Sequence, residues 1–164
     1  MTWKRHILVV ANVTSTSGEL LQALRERAAR EPVSYMMLVP ATPFGGGRAV
    51  ATEKLHEALG LLSAAGLEAQ GGVGHADPMV AVTDAWDPML YDEIIVSTLP
   101  MRFSKWMHAG LPERIARVTG APVTHIVSQP PRQPEATTAA PRREEGEGVM
   151  GPLSVLAWGG HKDR

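Results

Sequence analysis

Cysteine is absent from the 164 residues of the sequence, which excludes disulfide bonds, thiolate nucleophiles and cysteine-ligated zinc or iron–sulfur sites. Aromatic residues make up only 5% of the chain, whereas 44% of its residues are hydrophobic, so a folded core must consist mainly of aliphatic side chains. The 16 basic and 17 acidic residues leave a net charge of −1. Because neither sign dominates, we expect neither nucleic acid nor a membrane surface as a partner.

Long apolar segments are also missing. No stretch reaches the roughly 20 apolar residues that a membrane-spanning helix needs. The apolar run 7–11 follows two basic residues, but it is shorter than the core of a signal peptide, and the polar Asn12 comes directly after it. We therefore expect a cytoplasmic protein.

Motifs of well-known catalytic and phosphate-binding sites are lacking where they would be expected. The turn after the first apolar run contains neither GxGxxG nor GxxxxGK[ST], and the sequence contains no GxSxG nucleophile elbow. Its six histidines show no HxxxH spacing. The sequence therefore assigns no catalytic residue and predicts no metal site.

Apolar segments of strand length alternate with amphipathic segments of helix length over the first 128 residues. The predicted strands are 6–11, 33–39, 67–73, 93–96 and 123–127. Helices are predicted to begin near Thr16, which has capping-box spacing with Glu19, and near Arg48, Asp77 and Pro112. This alternation predicts an α/β fold, with a doubly wound, five-stranded parallel sheet of the Rossmann-like kind.

The composition changes at Gln129, where prolines and mixed charges replace the periodic apolar pattern. Such a segment buries too little apolar surface to offset the loss of conformational entropy on ordering. We therefore predict an α/β domain over residues 1–128 and a linker with a C-terminal tail, expected to be disordered, over residues 129–164. Its more apolar part, 149–158, is a candidate contact for the α/β domain, for a partner subunit or for another protein partner, or it makes no contact at all.

Hydroxyls and cations follow the strand 93–96, which is apolar enough to be buried on both faces and should be central in the sheet. They are Ser97, Thr98, Arg102, Ser104, Lys105 and His108. Because open α/β sheets bind ligands at the carboxyl ends of their strands, these side chains predict an anion-binding pocket. A solvated loop followed by a short helix is the alternative interpretation.

Three local sequences resemble the universal stress protein family. They are ILVVAN at 7–12, GHADPMVAVTDAW at 74–86, and EIIVST at 93–98 followed by GLPERIARVTGAPVTHIV at 110–127. The resemblance covers about residues 5–128. It implies the fold of the adenine nucleotide alpha-hydrolase-like class, a function in the stress response, and a homodimer formed through the last strand.

ATP-binding members of that family carry G-x2-G-x9-G-[ST] after the fourth strand, because glycine amides must approach the phosphates closely. Here Ser97 and Pro100 stand at the first two glycine positions, Gly110 stands at the third, and Leu111 follows it. Asn12 stands where the family has an aspartate. Since proline has no N–H and carries a ring, the phosphate-binding loop is incomplete, and the sequence resembles a degenerate member.

The resemblance implies a binding or regulatory module whose ligand, ATP, AMP or another small anion, lies at the carboxyl ends of strands one and four. No cofactor is required by the sequence itself. The implied ligand-binding residues are Asn12, Val39, Ser97, Thr98, Arg102, Ser104 and Gly110. The implied dimer interface consists of Val123, Thr124, His125, Ile126 and Val127.

Two other functions remain open at this stage. One is an enzyme of the nucleotide-binding α/β class that acts on a phosphorylated substrate through Ser97, Thr98, Arg102 and His108. The other is a dimeric interaction protein without a ligand, which captures a protein partner through its tail.

Overall fold

A computed structural model of the protein describes residues 3–130, in which strands and helices alternate along the chain. The strands are β1 (Arg5–Val10), β2 (Val33–Pro40), β3 (Ala69–Gly74), β4 (Glu93–Thr98) and β5 (Val123–Val127). The helices are α1 (Gly18–Arg30), α2 (Gly47–Ala64), α3 (Pro78–Ala85), α4 (Lys105–His108) and α5 (Leu111–Thr119). The predicted tail lies outside the described residues, apart from its first two positions.

The five strands form one parallel sheet in the order β3-β2-β1-β4-β5. The predicted doubly wound α/β fold is thus confirmed. The glycine-interrupted β3 lies at an edge. The strand predicted to be central, β4, is an interior strand, although β1 occupies the middle. Because the chain runs outward from β1 to β3 and then returns to β4, the strand order reverses between β1 and β4.

Helices cover both faces of the sheet. On one face, α1 and α2 pack against Ile7, Val9 and Met37, and on the other face α3 and α5 pack against Leu8 and Val10. The four β1 residues in this set are fully buried. Burial on both faces explains why β1 reads as a continuous apolar run and not as an alternating one.

The start of α1 differs by one residue from the prediction. Ser17, and not Thr16, caps the helix, because its Oγ accepts a hydrogen bond of 3.2 Å from the N–H of Leu20. Two turn hydrogen bonds before the helix, from Ser15 to the carbonyl of Asn12 and from Ser17 to that of Thr14, delay the first helical residue. The predicted start of α3 is confirmed, with Asp77 as its cap.

Among the helices of residues 3–130, none is both long enough and apolar enough to cross a membrane.

Candidate ligand-binding site

A cavity of about 290 Å³ opens at the carboxyl edge of the sheet. Its walls come from the turn after β1, the loop after β2, the end of β4 and the segment that follows β4. The lining residues are Asn12, Val13, Phe44, Ser97, Thr98, Leu99, Phe103, Ser104, Lys105 and Trp106. The cavity lies between β1 and β4, where the strand order reverses, and this is the place at which open α/β sheets bind ligands.

Asn12 follows β1, and only 2% of its surface is exposed. Its Nδ2 donates to the carbonyl oxygen of Pro40 at 2.5 Å and to Oγ1 of Thr42 at 3.0 Å. Its Oδ1 accepts from Nζ of Lys54 at 3.0 Å. An amide has two donor hydrogens and two acceptor lone pairs, so these contacts leave only one lone pair unused. Asn12 therefore mainly connects the end of β1 to β2 and α2 through hydrogen bonds.

Lys54 connects the loop after β2 to Asn12. Its ammonium also donates to the carbonyl oxygen of Gly45 at 3.0 Å, and burial lowers its pKa. A Cβ atom at Gly45 would lie 2.5 Å from Oδ1 of Asn12, so no side chain fits there. Gly46 has a φ of 96°, a left-handed conformation that favours glycine. The glycines at 45 and 46 thus allow close packing of the loop.

Hydroxyl groups at the carboxyl ends of β4 and β5 bind one another. Oγ of Ser97 lies 2.7 Å from Oγ1 of Thr14 and 3.4 Å from Oγ of Ser128, which is fully buried. Oγ of Ser128 in turn lies 2.8 Å from that of Ser17, the cap of α1. Ser97 therefore stands at the cavity wall with its hydroxyl already hydrogen-bonded inside the protein.

Thr98 connects the cavity wall to the edge strand β5. Its Oγ1 lies 2.7 Å from Nε2 of His125. Burial lowers the pKa of His125, an effect that the nearby Glu113 carboxylate partly opposes. The lowered pKa favours the neutral imidazole next to Thr98.

The segment after β4 does not form a phosphate-binding loop. It makes a 3₁₀ turn at Met101–Phe103 and then enters α4, which Ser104 caps by accepting from the N–H of Met107 at 3.1 Å. The N–H groups of residues 103, 104 and 108–110 all donate to carbonyl oxygens of the same segment. Since phosphate-binding loops present free N–H groups to the anion, these five bonded groups do not serve as such donors.

Two exposed phenylalanines carry cations over their rings. Phe44 is 44% exposed and Phe103 is 52% exposed, and they are the two phenylalanines of the whole chain. Nζ of Lys105 lies 5.0 Å from the ring centroid of Phe44, and Cζ of Arg102 lies 4.8 Å from that of Phe103. Within residues 3–130, neither cation makes a salt bridge.

The predicted ligand-binding residues divide into two groups. Four of them line the cavity, namely Asn12, Ser97, Thr98 and Ser104. The other three lie elsewhere: Val39 is fully buried in the core, Arg102 packs on the ring of Phe103, and Gly110 precedes α5 in a left-handed conformation. Their roles in binding stay predictions.

The apolar wall of the cavity was missed by the sequence reasoning. It consists of Val13, Phe44, Leu99, Phe103 and Trp106. A usable signal existed, because both phenylalanines of an aromatic-poor chain stand in segments that follow strands. Trp106 adds a second unusual feature, since its Nε1 is buried and has no hydrogen-bond acceptor in the described part of the chain.

Two other predicted sites have the following geometry. His108, which belongs to the enzymatic alternative, is exposed at the end of α4 and does not line the cavity. The predicted dimer interface is the edge strand β5, where Val127 is 44% exposed. Over residues 3–130, no three or more histidine and acidic side chains lie close enough together to hold a metal ion.

The opposite, amino edge of the sheet holds a charged cluster. Glu93, 4% exposed, pairs with the guanidinium groups of Arg27 and, at 3.8 Å, Arg5, and it accepts from Oγ1 of Thr124 at 2.6 Å. Arg27 also binds Glu31, which raises the pKa of Arg27 and lowers that of Glu31. This cluster joins α1 to three strands of the sheet.

Comparison with known proteins identifies the fold. No protein-family model matches the sequence, and no curated protein matches it. A universal stress protein from Archaeoglobus fulgidus, solved in complex with dAMP, is similar in structure, with a TM-score of 0.53 and 18% identity over 77% of this chain and 99% of the other. Another universal stress protein structure from Archaeoglobus fulgidus has a TM-score of 0.53 and 19% identity, over 74% of this chain and 93% of the other.

A third universal stress protein structure, in complex with cAMP, gives a TM-score of 0.54 and 17% identity over 77% of this chain and 98% of the other. At sequence identities of 17 to 19%, the similarity is evidence for a shared fold alone. All three matches agree with the resemblance that the sequence showed between residues 5 and 128. The chain thus has the fold of the universal stress proteins.

Proposed function

We propose that the protein is a small-molecule-binding module that takes an adenine nucleotide or a similar small anion in the cavity between β1 and β4. The observation that carries this proposal is the cavity itself, which draws its walls from both strands at the point where the strand order reverses. Lys105 supplies a cation at its wall. The dAMP and cAMP complexes of proteins with the same fold support a nucleoside phosphate as the ligand class.

Binding without turnover is the function that this geometry supports best. Thr98 lies within hydrogen-bond reach of His125, which is one feature of an activated nucleophile. However, the hydroxyl of Ser97 is held by Thr14, and His108 lies outside the lining of the cavity. Of the four side chains that the enzymatic alternative needs, Arg102 and His108 do not line the cavity, and the hydroxyl of Ser97 is already hydrogen-bonded.

We also propose that the protein forms a homodimer through β5. Its outer edge is not paired with any other strand of residues 3–130, and Val127 is exposed there. An unpaired edge strand is a ready template for association with a second chain. A dimer that forms without any ligand would favour the interaction-protein alternative for this surface.

Native mass spectrometry of the full chain, followed by a thermal-shift titration with AMP, tests both proposals. We expect a dimer mass, and a ligand at 100 times its Kd adds about 2.7 kcal/mol to the free energy of unfolding. For a protein of this size that corresponds to a rise in Tm of about 5 to 10 °C. AMP should be recovered unchanged after incubation.

A matched pair of substitutions locates the binding site. Val13→Trp places a large side chain at the cavity wall and should abolish the AMP-induced shift. Val80→Trp makes the same change on α3, outside the cavity lining, at almost the same exposure, 38% against 39%. It should leave the shift intact. If AMP still raises the Tm of Val13→Trp, the cavity is not the binding site. If native mass spectrometry gives a monomer mass, the proposed dimer is wrong.

A further inference from the structure

We infer that this cavity selects ligands with a flat apolar body and a single anionic group, and that it discriminates against di- and triphosphates. The inference rests on the proposed function, because it concerns the same cavity. It assigns the specificity to cavity-lining residues outside the glycine pattern, namely Phe44, Phe103 and Lys105.

The size of the cavity is the first argument. At about 290 Å³ it lies just below the range of roughly 300 to 1,000 Å³ that is usual for ligand pockets. A flat ring system with a small substituent suits such a volume. A chain of two or three phosphates attached to it would extend beyond the walls.

The chemistry of the walls is the second argument. Phe44 and Phe103 reach the cavity from different loops, and about half of each side chain is exposed. Large apolar side chains exposed at a cavity lose their contact with water when a flat ring stacks on them. Leu99 and Trp106 continue this apolar wall at the end of β4 and on α4. The walls therefore favour contact with the apolar ring system of a ligand more than contact with its charged group.

The distribution of cations is the third argument. Lys105 lines the cavity and lies over the ring of Phe44, so a flat ligand next to this ring would bring its anionic group near that cation. Arg102 lies over the ring of Phe103 but does not line the cavity. The remaining nearby cation, Lys54, is engaged by Asn12 and the carbonyl of Gly45. Pro100 has no N–H, and the N–H groups of residues 103, 104 and 108–110 are already bonded to carbonyl oxygens. A single phosphate or carboxylate can be bound here, whereas the second and third phosphates of a longer chain lack matching hydrogen-bond donors.

Isothermal titration calorimetry of the full chain with AMP, ATP, adenosine and 2-naphthoate tests the inference. We expect AMP and 2-naphthoate to bind with similar affinity, and ATP to bind at least about tenfold more weakly than AMP, a difference well within the resolution of the method. Adenosine, which lacks the anionic group, should also bind more weakly than AMP.

Variants separate the roles of the rings and of the cation. Phe44→Ala and Phe103→Ala should weaken AMP and 2-naphthoate alike, by about tenfold each, as is usual for the loss of an aromatic contact residue. Lys105→Gln should weaken both anions and leave adenosine unchanged. Trp3→Ala and Lys4→Gln, at residues that line a separate cavity at the amino edge, serve as controls and should change no affinity.

The outcomes distinguish this inference from the proposed function. If ATP binds as tightly as AMP or more tightly, the inference is wrong while the proposed function holds. If AMP binds but 2-naphthoate does not, the apolar body is not what the site recognises, and the inference is again wrong. If none of the four compounds binds, both the inference and the proposed function fail.

Discussion

At the amino edge of the sheet, Glu93 lies between Arg5 and Arg27, whereas at the carboxyl edge Lys105 and Arg102 have no carboxylate partner among residues 3–130. At that carboxyl edge the neutral side chains of Asn12, Thr14 and Ser97 are hydrogen-bonded within the protein.

This difference separates the residues that hold the fold from those that remain available to a ligand. A buried carboxylate such as Glu93 requires its partners, because an unpaired charge in the interior is strongly destabilising. Exposed cations beside a cavity require none, since water solvates them until an anion arrives. Charge therefore stabilises the amino edge, while at the carboxyl edge neutral hydrogen bonds stabilise the structure and the cations stay free of salt bridges in the described part.

The largest expected effect comes from removing the charge of Glu93. Glu93→Gln leaves Arg27 and Arg5 without their buried partner, although Arg27 keeps Glu31 and partial access to water. We expect the free energy of unfolding to fall by about 2 to 3 kcal/mol, below the usual range for breaking a fully buried pair. Urea denaturation measures this loss, and calorimetry should show no change in AMP affinity per folded molecule.

Glu68→Gln provides the control for this substitution. Glu68 pairs with Lys4 at 2.5 Å, but the two side chains are 59% and 40% exposed. An exposed pair contributes at most about 1 kcal/mol, so the control should change stability little. Equal losses from the two substitutions would mean that the amino-edge cluster stabilises the fold no more than a surface ion pair does.

A smaller loss is expected from Asn12→Ala at the carboxyl edge. The substitution leaves the carbonyl of Pro40 and the ammonium of Lys54 without the partner that joins them. Leaving buried polar groups unpaired costs about 1 to 3 kcal/mol. We expect a loss of stability in that range in urea denaturation, accompanied by weaker AMP binding because the loop that carries Phe44 loses an anchor.

Gln22→Ala is the matched control for Asn12→Ala, because it removes an exposed amide that bonds only Glu26 on the same helix. Its effect should stay within about 0.5 kcal/mol. If Asn12→Ala changed the free energy of unfolding as little as Gln22→Ala does, but greatly weakened AMP binding, Asn12 would contact the ligand directly. Its role would then not be to connect β1 to β2 and α2.

The sequence predicted those features that depend on neighbouring residues or on burial. The bounds of β5 and the start of α3 near Asp77 were predicted correctly, because apolar periodicity and the Asp-Pro pair act locally. The fold followed from the alternation of segments. The sequence also predicted a pocket at the carboxyl edge, where the structure has a cavity, because that edge depends only on where the apolar strands end. That a ligand binds there stays a prediction.

The interior of the site could not be predicted in the same way. The bond between Lys54 and Asn12 joins residues 42 positions apart, and the pairing of Glu93 with Arg27 spans 66 positions. Nothing in the local sequence marks such partners. The apolar wall was missed for a similar reason, because Phe44 and Phe103 approach the same cavity only when β2 and β4 lie on either side of β1.

The smallest expected effect concerns pH and sharpens the comparison between the edges. At the amino edge, the hydrogen bond from the Arg27 guanidinium lowers the pKa of Glu31 and so favours its ionised form. At the carboxyl edge, burial lowers the pKa of His125, so the unfolded chain binds a proton near pH 6.5 more readily than the folded one does. The contribution of His125 to stability is therefore complete above pH 6.5 and is lost as the pH falls below it.

Urea denaturation at pH 7.5 and 5.5 measures this effect in the wild type and in His125→Gln, which keeps a hydrogen-bonding group beside Thr98. The wild type should lose more stability on acidification than the variant does. His56→Gln, at an exposed position on α2, should leave the pH dependence of the wild type unchanged. If His125→Gln loses as much stability as the wild type, the pH dependence arises elsewhere, and the charge difference between the two edges does not extend to their titration.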